Sequence, residues 1–155
     1  AGTAPVGTIT ALYAVLVEGR VDDDPLASEL KSLLDAHIVL SPELAQESHF
    51  PAIEPLASLS RLQSHLVDAA HSGAAAAVRR LLARYREVEF LLRVGEYRQG
   101  ADPQADAAIG ARPDLRTFLC QDLDEISPFE VTVDRLAALR RSHDQSGDVL
   151  ERSRR

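Results

Sequence analysis

Methionine and tryptophan are absent from this 155-residue sequence, cysteine and lysine occur once each, and aromatic residues make up only 5% of it. A single cysteine, Cys120, excludes an internal disulfide framework and fits a reducing compartment. No secretory signal is visible. No apolar run approaches the roughly 18 residues that a membrane span requires; the longest, around residues 11–17, is strand-sized. Catalytic motifs are equally scarce. Lys31, the sole lysine, has no glycine near it, so a phosphate loop of the G-x-x-x-x-G-K-[ST] kind is missing. There is no G-x-S-x-G, no C-x-x-C and no H-E-x-x-H.

What is present describes a globular, acidic chain. Apolar residues supply 45% of it, and 17 basic against 24 acidic residues leave a net charge of −7. An acidic domain is a poor partner for nucleic acid, where neutralising phosphates supplies most of the affinity. The chain opens without methionine, just ahead of a strand pattern, and the expectation is a piece of a longer protein.

"TITALYAVLVE" (8–18) is β-rich and almost continuously apolar, the pattern of a strand buried on both faces of a parallel sheet. Asp24-Pro25 supplies an N-cap and a proline at the first helical position for a helix over about 25–35. "HIVL" (37–40) reads as a second buried strand, Ser41 as the cap of another helix, and a third strand falls within 56–60. This alternation predicts an α/β layer. Residues 74–94 then place Val78, Leu81, Leu82, Tyr85, Val88 and Leu92 on one stripe of a long helix, with Gly95 at its C-terminal cap. Two shorter helices follow at 102–110 and 113–121, each opened by proline, and an amphipathic one at 132–141. Residues 142–155 lack periodicity and predict a flexible tail.

Most of the remaining polar residues fit ordinary structural roles. His65 and His71 are six apart, which does not put them on one helix face as a metal pair, and solvated or capping roles fit them. Cys120 lies among apolar neighbours and predicts a buried, inert thiol. Asp22, Asp23 and Asp24 suggest an acidic loop at a helix N-terminus before they suggest a cation site.

One stretch departs from this plainness. "HFPAIEPLASLSR" (49–61) holds Pro51-Ala52-Ile53-Glu54, then Pro55-Leu56-Ala57, then Ser58-Leu59-Ser60 and Arg61. It resembles the signature that closes the catalytic domain of the hexameric ATPases related to the rotary ATP synthase α and β subunits. "LASLSR", "RRLLARYREVEFLLRVGEY" and "PDLRTFL" are similar to the type III secretion ATPases of injectisomes, with the flagellar export ATPases next. The likeness runs from about Gly7 to Leu139.

The resemblance implies an α/β edge of a RecA-like parallel sheet at 1–61, followed by an all-α C-terminal helical domain at 62–141, with the tail at 142–155. It makes Arg61 the arginine finger that reaches a neighbouring subunit's nucleotide. A guanidinium suits that task, presenting a planar fork of donors to phosphate oxygens. Phe50, with Pro51 beside it, matches the aromatic that stacks on adenine, and Phe118 matches a second wall of that pocket. The plain alternatives are an arginine at a strand end and two core phenylalanines.

Further expectations follow from the family. The cofactors are ATP and Mg²⁺, with the Mg²⁺ ligands and the phosphate loop upstream in relatives. The partners are a homohexamer, central-stalk and stator proteins, and chaperone–effector complexes, at the cytoplasmic face of a bacterial secretion apparatus, with peripheral membrane association. Several positions depart from the family pattern: Glu54 stands where Asp is usual, Pro42 replaces an arginine, Ala36 replaces a glycine, and "LQSHL" follows Arg61 where relatives carry an aromatic and a proline. The same sequence leaves open a non-catalytic helical interaction module or a gene remnant.

Overall fold

A computed structural model of the chain describes residues 2–3, 5–17, 19 and 23–152, with backbone alone for 144–152. The chain divides into two compact units, Ala1–Leu34 and Asp35–Arg155.

In the first unit, strand β1 (Gly2–Thr3) pairs antiparallel with β2 (Thr8–Ile9). The continuous strand expected over 8–18 does not form. Residues 10–17 carry no regular structure, and Leu12 and Leu16 are almost wholly exposed. A strand buried on both faces needs ladder partners at its edges and cover above and below. No further strand among the described residues pairs with this one. Helix α1 (Pro25–Leu33) starts where its cap predicts: the Asp24 carboxylate accepts the N–H groups of Leu26 and Ala27 at 2.8 and 3.0 Å. Arg20, Val21 and Asp22 of the acidic connection lie outside the described residues.

The second unit opens with β3 (Ala36–His37) and α2 (Pro42–Gln46), whose N-cap is Ser41. Strand β4 (Leu59–Ser60) lies antiparallel to β3, pairing Ala36 with Ser60 and His37 with Leu59. The parallel pairing implied by an α/β alternation is therefore not what these strands make. The register continues as single contacts, from the Arg61 N–H to the Asp35 carbonyl at one end to the Ser41 N–H on Ala52 at the other. Residues 55–57 loop out between the two halves of that pairing.

After the short helix α3 (Gln63–Leu66), three helices form the bulk of the unit: α4 (Ala69–Arg93), α5 (Pro103–Leu119) and α6 (Phe129–Arg152). Asp68 caps α4 by accepting the His71 N–H at 2.7 Å, and Gly95 beyond its end has φ 74°. The core joins Ala74 and Val78 of α4, Ala111 and Leu115 of α5, and Leu136 and Leu139 of α6. Leu81, Leu82 and Phe118 pack around it.

Helix α5 corrects the expectation of two helices broken at Pro113, because the proline sits inside one continuous helix. Proline removes one backbone bond and crowds the preceding turn, a cost of about 3 kcal/mol. Ala105, Ala108, Ala111 and Leu115 are all fully buried along one stripe that runs through the break. Splitting the helix would forfeit that continuous face, so burial overrides the local signal. Helix α6 likewise continues to Arg152, through much of the stretch where the sequence predicts a tail.

Within α4, Arg84 pairs with both Glu87 and Asp102, the N-cap of α5. The Asp102 carboxyl is held below its ordinary range, first by the Ala105 N–H and then by Arg84. Tyr97 donates its hydroxyl to Asp106 at 2.9 Å, and burial, then that bond, pushes its phenol up.

Candidate functional site

The segment 49–61 is the centre of the site, and its odd composition has a local explanation. Helix α2 ends in a reversal at Ser48, which adopts the left-handed conformation at φ 55°. The Ser48 N–H bonds to Ala45 O and the His49 N–H to Leu44 O, at 3.1 and 2.9 Å. This is the paired C-terminal closure that a left-handed residue allows, and it turns the chain so that His49 points inward and Phe50 outward.

Ser58, the first serine of the Ser-x-Ser pattern, closes the loop at 55–57. Its hydroxyl donates to the Glu54 carbonyl at 2.8 Å and accepts the Val39 N–H at 3.0 Å. Ser60 lies in β4, and Arg61 follows at the strand end, with an exposed side chain and its backbone held by Asp35 at 2.8 Å.

Phe50 stands at the other end of the segment, 55% exposed. Its carbonyl accepts the Gln121 N–H at 2.8 Å, which fastens it to the chain just beyond α5. Its ring lines a shallow, open recess of about 400 Å³ shared with Ser48, Thr117, Cys120, Gln121, Arg135 and the acidic Asp122 and Glu125. Pro51 is exposed beside it, and its carbonyl accepts the Ile53 N–H at 2.8 Å. Phe118 is placed differently: it is half-buried against the helical core, with the Arg135 guanidinium 6.0 Å from its ring centre, and does not line the recess.

Two residues matter more here than the sequence suggested. Cys120 is half-buried and lines the recess, rather than lying sealed in a core. His49 is buried directly behind Phe50. Burial first, then the positive charges of Arg112 and Arg116, lowers its pKa below 6.5. Only its position between Ser48 and Phe50 could have marked it. Among the described residues no group of three or more His, Cys, Asp or Glu side chains is arranged to hold a metal ion, and no helix is long and apolar enough to cross a membrane.

Residues 67–138 match the family model described as the T3SS EscN ATPase C-terminal domain. Residues 1–60 match that of the ATP synthase alpha/beta family, nucleotide-binding domain. The chain thus matches the C-terminal region of the type III secretion ATPases. A type 3 secretion system ATPase of Sinorhizobium fredii is 51% identical over 139 residues, covering 90% of this chain and 31% of that protein. The assembled ATPase EscN of the enteropathogenic E. coli type III secretion system superimposes with a TM-score of 0.84 at 46% identity, over 90% of this chain and 34% of EscN. EscN in complex with its central stalk EscO gives 0.79 at 44%, over 90% and 33%. The chain thus spans about a third of the length of the relatives it matches.

Proposed function

We propose that residues 1–155 act within a hexameric ATPase that energises type III protein secretion, supplying its arginine finger and part of its adenine pocket. The observation that carries this reading is the layout of one hydrogen-bonded segment. Phe50 faces a recess at one end and Arg61 stands exposed at the other, with the backbone between them fixed on residues 35–41. A flat apolar ring beside a recess suits a nucleobase, and an exposed guanidinium at a strand end suits a phosphate presented from outside the chain. Pro51 lies beside Phe50, and Phe118, which packs on the helical core and does not line the recess, would have to turn toward it to form the second wall.

In this reading residues 1–61 complete the nucleotide-binding domain, with 8–18 taking its place as a parallel strand once upstream neighbours cover it. Residues 62–141 form the helical C-terminal domain. The triphosphate and Mg²⁺ are held by residues outside this sequence, and bound ATP supplies the phosphoryl group whose charge Arg61 stabilises. A ring of six copies, a central stalk protein such as EscN has in EscO, stator proteins and chaperone–effector complexes are the partners. The cytoplasmic base of the secretion apparatus is the place.

The decisive experiment is Arg61→Ala in a full-length type III secretion ATPase carrying these residues. Turnover is expected to fall by about 10³-fold or more, with ATP affinity nearly intact. Mixing this variant with a phosphate-loop variant should restore activity in mixed rings, because the finger acts across the interface. An Arg61→Ala protein that retains most of its turnover rejects the reading and leaves a non-catalytic helical module in its place.

A further inference from the structure

Glu54 lies between Phe50 and Arg61, and it is bonded through both its backbone and its side chain. Its backbone N–H donates to Val39 at 2.9 Å, and its carbonyl accepts both the N–H and the hydroxyl of Ser58. Its side chain splits its two oxygens. Oε1 accepts the Leu56 N–H at 3.2 Å, holding the loop at 55–57, and Oε2 meets Arg86 of α4 at 2.5 Å. The Glu54 side chain is only 15% exposed, whereas that of Arg86 is 57% exposed. An ion pair as open as this adds little to stability. What it does supply is a fixed link between the long helix α4 and the return that ends at Arg61.

We propose that the Glu54–Arg86 pair is a strut that positions Arg61, so that the placement of α4 sets the reach of the arginine. The proposal rests on the reading of Arg61 given above. Glu54 and Arg86 are positioning residues, since neither lies at the proposed nucleotide sites. The path is short and continuous: Arg86 holds Oε2, Glu54 holds Ser58 by two bonds, Ser58 leads through β4, and Arg61 follows directly. A carboxylate one methylene shorter can still cap Leu56 but falls short of Arg86.

The test uses Arg86→Gln, Arg86→Lys, Glu54→Gln and Glu54→Asp in the full-length hexameric ATPase, with kcat, KM for ATP and backbone hydrogen exchange of residues 54–61 measured together. Arg86→Gln and Glu54→Gln are expected to lower kcat by about 10- to 100-fold, the scale for displacing a catalytic group by about an ångström. KM should stay within about twofold, and exchange at 54–61 should quicken. Arg86→Lys should recover part of kcat, Glu54→Asp should behave like Arg86→Gln, and the double Gln variant should be no worse than the poorer single one. In an Arg61→Ala background Arg86→Gln should cost nothing further. Unchanged kcat in Arg86→Gln, or an equal loss with and without Arg61, overturns the strut. Unchanged exchange at 54–61 overturns it as well, whatever the activity. The functional reading fails separately, on full turnover by Arg61→Ala alone.

Discussion

Gln121 donates its backbone N–H to the carbonyl of Phe50 at 2.8 Å, tying the end of α5 to the start of the segment that ends at Arg61. The bond leaves the Phe50 ring turned toward the recess, with more than half of its surface open. A ring in that position has little packing to lose, and in the proposed function it stacks on the base. Exchange for another aromatic keeps the flat face, so Phe50→Tyr in the full-length protein should bind ATP about as well as the parent. Phe50→Ala should weaken ATP binding by about 1–3 kcal/mol, the range for base–aromatic stacking, or roughly 5- to 150-fold in Kd. Its melting temperature without nucleotide should move little. Unchanged affinity with a large stability loss in Phe50→Ala would make the ring a packing element.

His49 gives the fold a pH dependence on the acid side. Burial, Arg112 and Arg116 disfavour its charged form, against weaker opposing effects of Glu47 and Glu54, so its folded pKa lies below the 6.5 of the unfolded chain. The neutral imidazole is therefore a full contributor to stability above pH 6.5. That contribution is lost as pH falls from 6.5 through the lowered folded value, because the unfolded chain takes up the proton first. The slope from one such proton is at most about 1.4 kcal/mol per pH unit. Thermal melts across pH 5–8 should show His49→Gln with a flatter acid limb than the parent. Parallel curves would remove His49 from the account.

Leu115 is fully buried where α4, α5 and α6 meet, two residues after Pro113. Leu115→Ala should cost about 2–5 kcal/mol, the usual range for a core leucine, read as a shift in denaturant midpoint. A loss below about 1 kcal/mol would mean that the helices close over the gap and that continuity through Pro113 depends on something else.

Legibility in the sequence followed the distance over which each signal acts. Asp24-Pro25 and Ser41-Pro42 marked helix starts because capping is decided within three residues, and both caps are in place. The stripe of Val78, Leu81, Leu82 and Val88 announced α4 because a helix repeats its own pattern. Pro113 misled for the complementary reason. Its local cost is real, but buried Ala105, Ala108 and Ala111 before it and Leu115 after it settle the matter through contacts that no short window contains. The antiparallel return of β4 onto β3 hinges on Ser58 bonding to Val39 and Glu54, which spacing alone does not reveal. The segment 49–61 was recognisable as a pattern, yet the burial of His49, the recess face of Cys120 and the hold of Arg86 on Glu54 are all products of tertiary approach.

Residues 10–17 bear on how the chain behaves in solution. They include Leu12, Tyr13, Val15 and Leu16, hold no charge and no proline, and are largely open to solvent. An uncharged, β-prone stretch of this length is the kind of segment that pairs with copies of itself when left uncovered. The isolated chain therefore carries a built-in tendency toward self-association, concentrated in one octapeptide and remote in sequence from every residue assigned to the nucleotide. Its colloidal behaviour is governed by a different part of the molecule from its chemistry.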